Sequence, residues 1–389
     1  IPLMRIAIFN TVQLETAGGM EHFCIQTAKH LSGLKGIQAD CVTMDDAFNI
    51  NYSKLHSLYF LKKFDKSIIY RESRKSIETR LDKADYLKCA NFTELTKTLR
   101  RYDLVYSRNE ITEAFLFKYL VGYHRIPPVI FGCHCPHQYI GADTFHSRLH
   151  NFLYSSPIYT HLAKRAEGFH TISRTDNQTI KEQFRNHRVE KVPNPFDAVG
   201  YAARANELKR PFDVDPSHFN ILWAGRLTEQ KGITQLCKII DIVNCTHNKK
   251  ISWHICGEGE LKEEVSALRA EHSNVHFHGH IDRESMPAVY SNVDLFISTS
   301  QWGETYAYTP REANSLGIPV LSFNISGYNE IIEDGVNGKL AESLDEFSTF
   351  VKWFADGNNL PSNIKKHIQT RTDSAPAYKQ LLHFFHSCL

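Results

Sequence analysis

Short apolar runs alternate with longer amphipathic stretches along most of this chain. Arg5–Asn10 reads as a buried strand, and Thr16–Gly19 as a glycine-bearing turn. Met20–Leu31 then places Phe23, Ala28 and Leu31 on one helical face, with Gly33 beyond its end. Further strands are expected at Gln38–Thr43, Leu104–Ser107, Pro128–Cys133 and Gly168–Ile172. The pattern restarts after a proline- and aspartate-bearing stretch, Pro193–Asp197 through Pro211–Pro216. Strands follow at Phe219–Ala224, Ile251–Cys256, Val275–His278, Asp294–Ser298 and Pro319–Phe323, with helices at Ile233–Val243, Leu261–Ala270 and Met286–Ser291. Strands that are apolar throughout and alternate with helices predict parallel sheets covered on both faces. The expected architecture is α/β: two Rossmann-like, doubly wound domains facing across a cleft. The first domain is expected over 1–197 and the second over 198–373, with a terminal helix, 374–389, packing back on the first.

Composition narrows the class. At 389 residues, 42% hydrophobic and 23% charged, the chain has a globular balance and room for two to three domains. No apolar run approaches the roughly 20 residues of a membrane-spanning helix, and no leader is read at the start. Ile1–Leu3 ahead of Met4 reads as an expression remnant. Nine cysteines without a paired framework suit a reducing cytoplasm, so the five Asn-x-Ser/Thr sequons are read as chance matches.

The formal charge of +2 hides an asymmetry. Residues 1–200 hold 27 Lys and Arg against 20 acids, and 201–389 hold 18 against 23. The window 54–101 alone carries a surplus of seven cations. It reads either as a solvated helical surface or as attraction to an anionic acceptor or anionic lipid. Nucleic acid is not expected, because no stacking platform or binding motif accompanies the charge.

The chemistry concentrates in the second half. Gly225-Arg226-Leu227-Thr228-Glu229-Gln230-Lys231-Gly232 leaves a strand and opens a helix. It sets a forked cation and a point charge beside helix-terminal N–H donors, which suits a diphosphate; two ordinary surface charges are the alternative. Glu304 and Glu312 follow with seven residues between them. Thr309–Glu312 also spells a capping box with a proline, so Glu312 could act as a cap alone. Ser326–Gly338 reads as a glycine turn, a short helix and a second turn. Cys256–Leu261 is a tight Gly257-x-Gly259 turn that lacks the third glycine of a dinucleotide site.

In order and spacing these four segments resemble the carboxyl half of family-four retaining glycosyltransferases, which have the GT-B fold. The first half resembles that family through Gly18-Gly19-Met20-Glu21, through His134 after its strand, and through Pro193-Asn194 with Asp197. The resemblance implies that Arg226 and Lys231 hold the nucleotide diphosphate, that Glu312 binds the ribose and that Glu304 contacts the transferred sugar. Ser326, Gly327, Gly257 and Gly259 would line the donor site. Gly18 and Gly19 would close over the donor, and His134 would hydrogen-bond its sugar. The reaction implied is retaining and metal-independent, with no cofactor beyond a nucleotide-diphosphate sugar, most simply a UDP-sugar. The acceptor would be a glycan or lipid-linked precursor in cell-surface polysaccharide synthesis, met at the cytoplasmic face of a membrane. Peripheral contact is expected through 54–101 and the aromatic stretch Phe145–His161. A nucleotide-sugar epimerase or a non-catalytic sugar-nucleotide-binding scaffold on the same fold is the alternative. Thr305, where the family has glycine, and Arg311, read as a further phosphate or surface contact, depart from the pattern.

Three other signals are set aside. Cys133–His137 cannot converge on zinc, because alternate strand residues point to opposite faces. His276, His278 and His280 read as sheet residues, and Asp213-Val214-Asp215 as a turn.

Overall fold

The computed structural model describes residues 3–11, 19–44, 77–81, 83–108, 110–140, 145–360, 363–371 and 374–389. These residues form two compact units. One holds Ile1–Tyr139, Asp143–Pro195 and Ala375–Leu389, and the other holds Ile140–Ala142 and Phe196–Ser374.

The first unit is built on an eight-stranded sheet. Its strands are β1 (Met4–Asn10), β2 (Ile37–Met44), β3 (Ile77–Leu81), β4 (Ala84–Cys89), β5 (Leu104–Arg108), β6 (Val129–Cys133), β7 (Gly168–Thr171) and β8 (Arg188–Lys191), in the order β3-β4-β2-β1-β5-β6-β7-β8. All neighbours are parallel except the β3–β4 hairpin at the edge. The apolar run of β1 serves both faces. Ala7 and Phe9 enter one core cluster, while Ile6 and Ile8 enter the other. That division follows from the two-residue period of a strand. The helix Gly19–Ser32 covers the Ile6 face with Phe23, Ala28 and Leu31, and the helix Ser374–Ser387 lays Tyr378, Leu381, Phe384 and Phe385 on the same face.

The second unit is a six-stranded parallel sheet. It contains β9 (Phe219–Ala224), β10 (Ile251–Cys256), β11 (Val275–Gly279), β12 (Leu295–Ser298), β13 (Val320–Phe323) and β14 (Gly338–Ala341), in the order β11-β10-β9-β12-β13-β14. Counted within the unit this is 3-2-1-4-5-6, the doubly wound order in which ligands bind beyond the strand ends where the winding reverses. That point lies between β9 and β12. Both layers beside the sheet are filled, by Ile221 and Trp223 on one side and Leu222 on the other.

The structure corrects several expectations. Much of the basic window 54–101 lies outside the described residues. Its described part is the β3–β4 hairpin and the helix Phe92–Leu99, so 77–89 is a sheet edge rather than a helical surface. β8 and β14 do not stand out as apolar runs, because β8 buries only Val189 and β14 only its two end residues. Ser326–Ile331 is a run of turns with no helix, closed by Ile332 N–H donating to the Tyr328 carbonyl at 2.8 Å.

Candidate functional site

In the second unit, three loops meet where the winding reverses. The first leaves β9 as Gly225–Gly232 and runs through a single 3₁₀ turn, Glu229–Lys231, into the helix Ile233–Thr246. The second leaves β12 as Thr299–Ala307. Thr299 joins the two: Trp223 Nε1 donates to its Oγ1 at 3.0 Å, and that hydroxyl donates to the Lys231 carbonyl at 3.0 Å. The third is Ser326–Tyr328, after β13. Gly327 adopts φ +88°, a left-handed conformation that favours glycine, and a Cβ there would lie 1.9 Å from the Glu304 carbonyl oxygen. The Ser326 carbonyl accepts from Glu304 N–H at 2.8 Å. Behind the first loop, Cβ atoms at Gly257 and Gly259 would run into the carbonyls of Gly225 and Leu227 at 1.8 and 2.3 Å, so these two glycines pack against loop backbone.

This framework brings Lys231 and Glu304 together. Lys231 Nζ donates to Glu304 Oε1 at 2.5 Å, and Ser300 Oγ donates to the same oxygen at 3.0 Å. Both side chains are largely buried, at 22% and 16% exposed. Burial alone would lower the Lys231 pKa; the Glu304 carboxylate outweighs it and holds the ammonium above its ordinary value, against the opposing charge of Arg226. Arg226 itself is exposed. The result is a cationic edge at the end of β9, one cation held rigidly and the other at the surface. Tyr328, buried at 2% exposed, receives the Ser298 hydroxyl at 2.6 Å.

Glu312 has its own pocket. It lies on the helix Tyr308–Ser315, which starts after Ala307 with no side-chain cap. The capping box is therefore not formed. Glu312 is buried, accepts from the Tyr290 hydroxyl at 3.2 Å and faces Arg283 at 3.6 Å. Burial raises its pKa, opposed by Arg283 and Tyr290. Arg311 is neither a surface nor an open phosphate contact. It is buried, stacks 3.5 Å above the Tyr306 ring and donates to the Ala307 carbonyl at 2.6 Å. Thr305 is buried at 8% exposed.

His134 belongs to the first unit, just past β6. Its Nε2 lies 2.7 Å from the Tyr106 hydroxyl, which is 2.6 Å from His170 Nδ1. Burial, then the neighbouring His170 and Arg108 charges, push the His134 pKa well below the ordinary histidine value. At the ends of β1 and β5, where this sheet's winding reverses, Arg108 pairs with fully buried Glu113 at 3.0 Å, and Thr11 donates to the same carboxylate. Sequence reasoning missed this group because no motif surrounds it; the only signal was charge directly after the apolar run Leu104–Ser107. Gly18 lies outside the described residues. Gly19 opens the first helix.

Residues 205–371 match the model of the family described as glycosyl transferases group 1. Curated relatives include an uncharacterized 41.2 kDa protein in the cps region of Klebsiella pneumoniae, 29% identical over 135 residues, which are 34% of this chain and 35% of that protein. Another is the lipopolysaccharide core biosynthesis mannosyltransferase LpsB of Rhizobium meliloti, 27% identical over 149 residues, 36% and 39% of the two chains. The matched stretch thus spans little more than a third of either relative. Among solved structures, Anabaena Alr3699/HepE in complex with UDP aligns over 99% of this chain and 100% of its own, with TM-score 0.68 and 17% identity. The chain has the GT-B fold, and most of its second unit matches the glycosyl transferases group 1 model.

The matched stretch contains Arg226, Lys231, Gly257, Gly259, Glu304, Glu312, Ser326 and Gly327, while Gly19 and His134 lie outside it. Asp215 forms a turn, accepting from Ser217 N–H at 2.8 Å and from its hydroxyl at 2.7 Å. His276 and His278 lie on β11, and the rings of His254, His276 and His278 stack across β10 and β11, with Phe212 capping His278 at 3.6 Å. Burial and then the neighbouring imidazoles lower His254 to about 3; burial, His276 and Arg269 lower His278 to about 4. A histidine so depressed costs nothing above its unfolded value of about 6.5. Below that the unfolded chain takes up protons that the folded chain refuses. The second unit should therefore lose thermal stability steadily from pH 6.5 to about pH 4. Scanning calorimetry of the wild type and a His254→Gln variant checks this, the variant showing the shallower slope.

Proposed function

We propose that this chain is a retaining, metal-independent glycosyltransferase that moves a sugar from a UDP-sugar to a glycan or lipid-linked acceptor in cell-surface glycoconjugate synthesis. The observation that carries this reading is the Lys231–Glu304 pair beside Arg226, at the strand ends where a doubly wound sheet takes its ligand. Lys231 and Arg226 are the groups to neutralise a diphosphate as charge builds on it. Glu304, already bonded to Lys231, is placed to accept from sugar hydroxyls while keeping that lysine charged. Glu312 is assigned to the ribose and His134 to the donor sugar. Ser326 and Gly327 supply backbone beside Glu304, and Gly257 and Gly259 shape the loop that carries Arg226.

In this mechanism the bond from the anomeric carbon to the diphosphate oxygen breaks as the acceptor oxygen bonds to the same face of the sugar. The acceptor proton passes to the departing diphosphate oxygen. Preorganised cations stabilise that leaving group without a metal. The UDP complexes of solved GT-B neighbours support a uridine donor, and the lipopolysaccharide role in the name of one relative supports a cell-surface acceptor.

Contact with the cytoplasmic face of an anionic membrane, through 54–101 and Phe145–His161, belongs to the same proposal. Phe145, Phe152 and Ile158 are exposed at 75%, 67% and 60%. Residues 114–166 contain five Lys and Arg and a single acid, Asp143.

A panel of UDP- and GDP-sugars, read by thermal shift and by slow donor hydrolysis, tests the reading. Stabilisation and turnover with a UDP-sugar in excess chelator are expected. Selective response to GDP-mannose would overturn the uridine assignment, and loss of turnover with chelator the metal-free one. Binding without turnover would favour a non-catalytic scaffold. Salt-sensitive sedimentation with anionic liposomes checks the membrane contact.

A further inference from the structure

His134 does not stand alone: it heads a hydrogen-bonded chain whose far end decides where every proton lies. The chain ends at the Val192 carbonyl, 2.7 Å from His170 Nε2. A carbonyl can only accept, so His170 Nε2 carries a proton and donates it. Burial depresses His170 to about 4, with the Val192 bond opposing. The ring is therefore neutral at working pH, and its Nδ1 is an acceptor. The Tyr106 hydroxyl, 2.6 Å from that Nδ1, must donate to it. With its single proton committed, the Tyr106 oxygen accepts from His134 Nε2 at 2.7 Å. His134 Nε2 is thereby the protonated nitrogen of a neutral ring, and its Nδ1 is the acceptor.

A separate observation supports the same device. Tyr106 is fully buried, and its hydroxyl occupies space against β6 that only a glycine leaves open. A Cβ at Gly132 would fall 1.9 Å from the Tyr106 hydroxyl and 2.9 Å from His134 Nε2. The Phe23 ring lies 4.2 Å from the His134 ring, centroid to centroid, and limits its rotation.

We propose that Tyr106 and His170 are positioning residues that hold His134 in its Nε2–H tautomer, so that it meets the donor sugar through Nδ1 as a hydrogen-bond acceptor. This rests on the reading that His134 faces the donor. It also adds a substrate class: the sugar group met by His134 must carry a proton to give. A hydroxyl satisfies this and an ionised carboxylate does not, which favours neutral hexoses over uronic acids at that position.

The tautomer can be read without any substrate. Imidazole nitrogen NMR of the full chain with ¹⁵N-labelled histidine at pH 7.5, with His134 assigned by its loss in His134→Gln, should show protonated Nε2 and unprotonated Nδ1. A protonated Nδ1 would overturn the proposal in the wild type alone. In Tyr106→Phe the His134 signals should move to values averaged between tautomers, and Gly132→Ala, which displaces the hydroxyl without removing it, should do the same. Unchanged His134 signals in a folded Tyr106→Phe protein would also overturn it. If the tautomer is as stated but His134→Ala turns over the best donor at the wild-type rate, the contact between Nδ1 and the sugar is overturned while the tautomer lock stands.

Discussion

Lys231→Ala is expected to lower kcat by about 10²–10³-fold, the usual cost of removing one preorganised group that meets charge developing in a transition state. Three features place this variant at the top of the scale. The ammonium is largely buried, so its charge is weakly screened. It is fixed from both sides, by Glu304 at 2.5 Å and by its own carbonyl accepting from Thr299 at 3.0 Å. The Glu304 carboxylate keeps it charged against burial. Arg226, exposed and without that framework, should cost less when changed to Ala. Single-turnover kinetics with the donor found in the panel checks the ranking, and equal kcat for Lys231→Ala and wild type would remove Lys231 from the leaving-group role.

Glu304→Gln should produce a loss of a different kind. It removes the charge that outweighs burial, so the Lys231 pKa should fall below its ordinary value of 10.5. An alkaline limb of the kcat profile set by Lys231 would then shift to lower pH, and activity that is level at pH 9 in the wild type would decline there in the variant. Leaving a largely buried ammonium with a neutral amide should also cost about 1–3 kcal/mol of folding stability. A double-mutant cycle separates the effects. Lys231→Ala with Glu304→Gln should lose less than the sum of the singles, because the two side chains share one interaction. Strict additivity, together with an unshifted pH profile, would mean that the pair does not act as a unit.

Legibility followed a physical rule. Most strands that the apolar pattern marked, such as Phe219–Ala224 and Ile251–Cys256, are buried on both faces and are therefore largely apolar, whereas β11 was marked although only Val275 of it is buried. The edge strands β8 and β14 and the β3–β4 hairpin escaped: β8 buries only Val189, and β14 only its end residues Gly338 and Ala341. The Thr309–Glu312 box spelled a cap that did not form. The helix starts earlier, at Tyr308, and Glu312 is buried against Tyr290 instead. Arg311 looked like a free charge and proved to be a buried cation on an aromatic face.

The amino-acid sequence by itself determined the α/β class, the restart of the pattern near residue 219 and the identity of the charged candidates. All of these rest on local periodicity and on spacing within single loops. Only the tertiary structure decided which of those charges meet. Lys231 and Glu304 are 73 residues apart and become partners because β9 and β12 are neighbours in the sheet. His134, Tyr106 and His170 form a proton-ordered chain because β5, β6 and β7 lie side by side. A hydrogen bond is settled to within a few tenths of an ångström, and that distance depends on strand order and register, which no local pattern of residues encodes.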